Sequence, residues 1–197
     1  MHAAIAATII VTAGVVMGIL RAPHARRGRS VSVVRSNETW AETALVGLAW
    51  TGFLLPVVWV ISPALAFANY PARLAMIVTG SACLALGLWV FHRAHADLGT
   101  NWSITVELKQ NHRLVTRGIY ERVRHPMYLS LFLYSVGQAV VVPNWIAGPS
   151  YLVTFGVLYL CRVRVEEGMM IDAFGDEYRG YIARTNRLIP RARIEGE

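Results

Sequence analysis

Residues 3–20, AAIAATIIVTAGVVMGIL, contain no charged side chain, and four further runs that are nearly as apolar follow at 41–61, 72–91, 127–142 and 145–161. Such runs constrain the backbone more tightly than any motif. In hydrocarbon every N–H and C=O must find its partner within the protein, and a lone segment can do that only as a helix. A crossing takes about 17–25 residues. The fourth run is short, and with the fifth it reads as a helical hairpin broken at Pro143-Asn144, because proline cannot continue a helix ladder. The expected fold class is therefore all-α, a polytopic integral membrane bundle of about five transmembrane helices.

Composition points the same way. Only 16% of the 197 residues are charged, against roughly 25% in soluble domains, and the mean hydropathy is +0.42. The net charge of +7 does not suggest nucleic acid, since the cations fall between apolar runs instead of on a polar face beside stacking aromatics. Placing the N-terminus outside and the C-terminus in the cytoplasm puts five arginines after the first run, six cations between Arg93 and Arg124 and seven from Arg162 onward on the cytoplasmic side. Only Arg73 of the 19 cations then falls on the other side, as the positive-inside rule requires, and adding or deleting one span spoils the partition. The first run has no basic segment before it and reads as an anchor, not a cleaved signal. An Arg and Ala bias, with Lys109 as the lone lysine, is the pattern of a GC-rich genome, and the setting expected is the inner membrane of a bacterium. Cys83 and Cys161 are isolated in apolar stretches, and His92 and His95 have no third ligand nearby, so no metal site is suggested.

Two pieces remain for chemistry, the connection 92–126 and the tail 162–197. In RGIYERVRHPMY (117–128), proline favours a helix start at Pro126 and drives His125 toward extended geometry. This is either a capping element with Arg124 on lipid headgroups or a polar site at the membrane face. Arg162 and Glu166 are one helical turn apart in CRVRVEEGMM. Arg162 snorkels to headgroups or meets a ligand, and the adjacent acidic pair Glu166-Glu167 wants a cation, since carboxylates against an anionic leaflet are unfavourable. In LGTNWS (98–103), Asn101 forms a turn and Trp102 is an interface anchor. The tail beyond span five, interrupted by Gly175, reads as an amphipathic cytoplasmic helix pair.

HRLVTRGIYERVRHPMY (112–128) followed by RVRVEEGMMIDAFGDEYRGY resembles the isoprenylcysteine carboxyl methyltransferase family and its phospholipid methyltransferase relatives, over roughly residues 85–190. The resemblance implies an N-terminal pair of spans, 1–70, and a methyltransferase-like core, 71–197, with a cytoplasmic cofactor site built from loop and C-terminal helices. It implies S-adenosyl-L-methionine as cofactor, lined by His112, Arg113, Leu114, Val115, Tyr120, His125, Pro126, Met127, Tyr128 and Glu166. The acceptor would be a lipophilic or lipid-modified molecule entering from the bilayer, read by Arg162 with Asn101 and Trp102. A carboxylate acceptor needs no base, and Arg162 would align it by bidentate hydrogen bonds. An amine or phenol acceptor needs one, with Glu167 or His125 as candidates. Two other readings are an amine or phospholipid N-methyltransferase and an NADPH-dependent reductase of the sterol reductase type. Against the reductase, Leu129-Ser130 stand where those relatives continue with Gly-Glu.

Overall fold

The computed structural model describes residues 1–29, 33–36, 39–98, 107–109 and 114–191. Among them are five α-helices: α1 (His2–Arg29), α2 (Trp40–Ile61), α3 (Leu74–Leu98), α4 (Pro126–Val141) and α5 (Ser150–Arg184). Three helical segments, His2–His24, Trp40–Ile61 and Leu74–Leu98, are long and apolar enough to cross a membrane. With 16 residues, α4 spans about 24 Å, less than the roughly 30 Å of a hydrocarbon core. The apolar part of α5 stops at Arg162. The five expected helices are present, but three of them, not five, have the length and composition of a full span.

Three boundaries differ from expectation. The fifth helix starts at Ser150, not at residue 145, because Asn144 turns the chain there: its side-chain oxygen accepts from the N–H of Ile146 (3.0 Å) and Ala147 (2.8 Å). The tail is not detached from span five, since α5 continues past Cys161, but the interruption expected at Gly175 is present: its φ of 54°, in a region that glycine tolerates, parts two helical segments. α3 runs on to Leu98, so the connection to α4 is shorter than the sequence suggests. One addition to the all-α expectation is an antiparallel pair, β1 (Val33–Ser36) with β2 (Glu107–Lys109), joining the segments that follow α1 and α3. Outside a helix, their backbone groups find partners in each other.

The helices pack as neighbours in a bundle, α3 antiparallel along α4, α2 antiparallel along α5, and α1 parallel on α3. Lipid offers no hydrophobic drive between helices, so close backbone approach has to supply the packing. Two glycines make that approach possible. A Cβ on Gly137 of α4 would stand 2.7 Å from Leu84 Cγ and 2.8 Å from its backbone nitrogen, and one on Gly52 of α2 would stand 2.7 Å from the Ser150 carbonyl. Rings from three helices fill the centre: Phe53, Tyr134, Tyr151 and Phe155 form successive contacts with centroids 5.4–6.1 Å apart.

The end of the bundle away from the RHP segment is closed by buried amides. Gln138 donates to the carbonyls of Gly52 (3.2 Å) and Ala147 (3.0 Å), and Asn144 donates to the Leu65 carbonyl (2.7 Å) and Asn69 Oδ1 (2.8 Å). With a further bond from Gln138 to the Ser150 hydroxyl (3.1 Å), these tie α2, α4, the start of α5 and the Pro63–Ala68 turn together, so the hairpin is anchored at this end. Replacing Gly137 with Val should lower stability by about 1–3 kcal/mol through overpacking, read as a fall in the detergent melting temperature. Gly156→Ala, where a Cβ meets nothing within 4 Å, should leave the melting temperature unchanged.

Candidate active site

The polar end is built from the RGIYERVRHPMY segment, the middle of α5 and the chain that follows α5. Gly118 opens it with a φ of 64°, and Asp97 at the end of α3 accepts from the N–H of Ile119 at 2.9 Å. The Gly118–Glu121 turn is thereby pinned to α3. The next residues run beside the chain leaving α5, with the N–H of Arg124 bonded to the Asn186 carbonyl (2.9 Å) and that of His125 to the Arg187 carbonyl (3.0 Å). Pro126 then takes the first position of α4, as its fixed φ favours.

His125 is the N-cap of α4 with φ −123° and ψ 60°, which is not the extended geometry expected before proline. Its N–H is tied to Arg187 while its carbonyl already accepts from Leu129 (3.0 Å). Meeting both partners pulls ψ away from the extended range.

Glu167 is the centre of this end. It is buried, 7% exposed, and faces three cationic or polar donors. Arg124 reaches it through Nε (3.3 Å) and a terminal nitrogen (3.2 Å), Arg187 by contacts of 3.0, 3.1 and 2.6 Å, and His125 Nε2 stands 3.2 Å from Oε1. The histidine contact requires the proton on Nε2. Burial alone would raise the Glu167 pKa, but hydrogen bonds from His125 and Arg187, together with their charge, hold it well below the usual carboxylate range. In return the same bonds push the Arg187 guanidinium pKa up. Arg124 also binds the Ile182 carbonyl (3.2 Å) and the Thr185 carbonyl, capping the C-terminus of α5 where a cation is favoured. It is therefore buried in the protein and not spread on headgroups.

Next to this hub lies a second carboxylate with a different setting. Glu166 is a third exposed, with side-chain exposure 34%, and its Oε2 accepts from the Tyr128 hydroxyl at 2.6 Å. His125 Nδ1 is 3.9 Å from its other oxygen. Rings flank it: Tyr128 lies 5.4 Å from His125 and 5.2 Å from Tyr159, and Tyr159 lies 5.1 Å from Phe132. One turn earlier on α5, Arg162 Nε approaches Glu42 Oε1 of α2 at 3.3 Å.

His125, Tyr128, Glu166 and Glu167, read from separate parts of the sequence, are thus brought together. Pro126 is buried and Met127 packs into the core beside them. Tyr120 is buried with its hydroxyl on the Ala94 carbonyl (3.4 Å), while its own carbonyl accepts from Tyr181 (2.5 Å). Leu114 and Val115 are half-buried on the way into the turn. His112, Arg113, Asn101 and Trp102 lie outside the described residues. The sequence reading missed Arg187, for which no signal exists, and Glu42. The signal for Glu42 was available, since it is the one acidic residue inside the five apolar runs and an ionisable group at such a place is a site candidate by default.

The family model of the isoprenylcysteine carboxyl methyltransferase (ICMT) family matches residues 73–172, just over half of the chain. The chain belongs to the ICMT family. The matched stretch contains RHPMY, Arg162, Glu166 and Glu167, and leaves out Glu42 and Arg187. Among similar proteins, protein-S-isoprenylcysteine O-methyltransferase of Homo sapiens is 35% identical over 115 residues, covering 57% of this chain and 40% of that protein. The Schizosaccharomyces pombe protein of the same name is 31% identical, covering 54% of this chain and 46% of its own length. The solved structure of the eukaryotic intramembrane Ras methyltransferase ICMT superposes with a TM-score of 0.56 at 26% identity, over 78% of this chain and 53% of that one. The chain therefore spans less than half the length of these two relatives.

Because Glu167 has a folded pKa below its unfolded one, its contribution to stability is complete above the ordinary carboxylate range and is lost as pH falls toward the depressed value. Glu167→Gln should cost about 3–5 kcal/mol at neutral pH, since it leaves the buried guanidinium of Arg124 without its anion. Melting curves in detergent across pH 3–8 should show the acid-side loss in the parent and a flatter profile in the variant.

Proposed function

We propose that the chain is an integral membrane methyltransferase that moves the methyl group of S-adenosyl-L-methionine to the carboxylate of a lipophilic, isoprenoid-type acceptor. The observation that carries this reading is the pairing of two unlike sites one turn apart on α5. A partly exposed carboxylate, Glu166, sits among aromatic rings, and a guanidinium, Arg162, lies nearer the bilayer. The first has the chemistry of a cofactor site. Faces of Tyr128 and Tyr159 suit a sulfonium by cation–π attraction, and Glu166, already oriented by Tyr128, suits a hydroxyl or ammonium donor. Bound there, the cofactor supplies an electrophilic methyl group. The residues of the chain orient the acceptor and exclude water, as a displacement of this kind mainly requires.

A carboxylate acceptor is favoured over an amine by the state of Glu167. Its oxygens are occupied by Arg124, His125 and Arg187 and its proton affinity is depressed, which makes it a structural anion and a poor general base. A carboxylate needs no base. The relatives carry names that specify O-methylation of an isoprenylated cysteine, which agrees with this acceptor class. Lipophilicity is supported by an apolar cavity of about 230 Å³ that includes Ile10, Val15, Phe53, Leu54, Val57 and Tyr134 in its lining. The packed rings of Phe155, Tyr151 and Phe53 lie between it and Tyr128.

The topology belongs to the same proposal: five crossings with the site on the cytoplasmic side, an N-terminal pair at 1–70 and the catalytic core at 71–197. Its support is the cation partition together with contacts at each end. Glu42 at the start of α2 meets Arg162 at the end of the apolar part of α5, and Asp97 at the end of α3 meets the turn before α4. At the other end His2 meets the Ala72 carbonyl at 3.1 Å.

Radiolabelled S-adenosyl-L-methionine should bind the purified protein in detergent, and failure of correctly folded protein to bind would sink the proposal. Glu166→Gln should weaken that binding about tenfold, the loss of a charge-assisted contact. Arg162→Lys should keep binding and lower turnover of the acceptor by a larger factor, because lysine cannot reproduce the bidentate fork. Equal loss of both properties in both variants would undo the division of roles.

A further inference from the structure

Glu42 and Arg162 form an ion pair within the bundle, with side chains 7% and 11% exposed. The backbone that carries Glu42 is fixed, since its N–H is held at 3.2 Å by the N-cap Thr39. The pair stands beside the candidate site: the Tyr128 hydroxyl, bonded to Glu166, lies in electrostatic range of both Arg162 and Glu42. Arg162 is also the residue assigned above to the acceptor carboxylate. Two carboxylates, one from the chain and one from the substrate, therefore share a single guanidinium as partner.

We infer that Glu42 is a positioning residue that exchanges with the acceptor carboxylate on Arg162, holding the guanidinium before the acceptor arrives and reclaiming it once the ester has formed. This rests on the carboxyl-methylation reading. The argument is one of charge. A guanidinium withdrawn from water is costly unless an anion accompanies it. Before binding, Glu42 neutralises Arg162. A bound acceptor adds one negative charge and the sulfonium one positive charge, so the acceptor enters without leaving a net charge behind and Glu42 gives way. In the transfer an acceptor oxygen forms a bond to the methyl carbon as the carbon–sulfur bond breaks. The bonding pair goes to sulfur and no proton is released. Carboxylate and sulfonium become ester and thioether, both neutral. Arg162 has then lost its anionic substrate partner, and Glu42 restores the pair and releases the ester. At 3.3 Å the contact is looser than the 2.6 Å hold of Arg187 on Glu167, as befits a partner that must leave.

The test compares the full chain with Glu42→Gln in detergent, using N-acetyl-S-farnesylcysteine and its methyl ester as probes. Binding of both is measured without cofactor, and ester formation is measured with S-adenosyl-L-methionine. Removing the competing carboxylate should raise the preference for acid over ester at least about fivefold, lower the KM for the acid, and make product release limiting, seen as a burst in the first turnover. An unchanged acid-over-ester ratio, or equal weakening of both probes, overturns the exchange. If Glu42→Gln fails to fold, Glu42→Asp withdraws the carboxylate by one methylene while keeping its charge, and it should move the ratio in the same direction. If the parent binds the acid but forms no ester, the methylation reading fails, while the ratio still reports whether Glu42 competes for Arg162.

Discussion

The carboxylate of Glu167 is the anion around which one end of the bundle is assembled. Arg124 and His125 lie in the turn and cap before α4 and Arg187 lies beyond α5, so two chain segments remote from each other in sequence meet on one side chain of α5. Each of those groups would be expensive to hold away from water alone. Glu167 lowers that cost as their shared anion, and the backbone follows: residues 124 and 125 bond to 186 and 187, and the guanidinium of Arg124 closes the last turn of α5. The segment after α5 is strapped across the start of α4 by this cluster, with Leu188 packed on the core beside it.

That strap sets the position of the neighbouring groups. With His125 turned toward Glu167, Tyr128 lies one turn into α4 and meets Glu166, the next residue of α5. Adjacent carboxylates on one helix end up with unlike tasks because their surroundings differ. Glu167 is buried and saturated by donors, whereas Glu166 is partly exposed and holds one tyrosine. The far end of the bundle complements this arrangement. Gln138 and Asn144 satisfy carbonyls of three other segments, which anchors the short α4 there and leaves its N-terminus to be positioned by the polar cluster.

Helix contacts through Gly52 and Gly137 bring α2 against α5 and α3 against α4, and the first of these contacts carries Glu42 to Arg162. The N-terminal helices are therefore more than an anchor. They bring a charged group to Arg162, which like the other members of this end except Arg187 comes from the part of the chain matched by the ICMT family.

Much of the architecture is a local property. An apolar run must be helical in lipid, a proline begins α4, and a glycine permits the turn at 118 and the kink at 175, all of which can be read from residues near one another. The motif residues His125, Tyr128, Arg162 and Glu166 were legible as well, because their spacing is itself the signal. What the sequence did not carry is partnership. Nothing near Glu167 announces Arg187, nothing in the short segments 33–36 and 107–109 announces that they pair, and the run that contains Glu42 does not say which cation it meets. Those choices depend on how close two helix backbones can come and on which buried charges must cancel, and both are decided only when the segments are packed together.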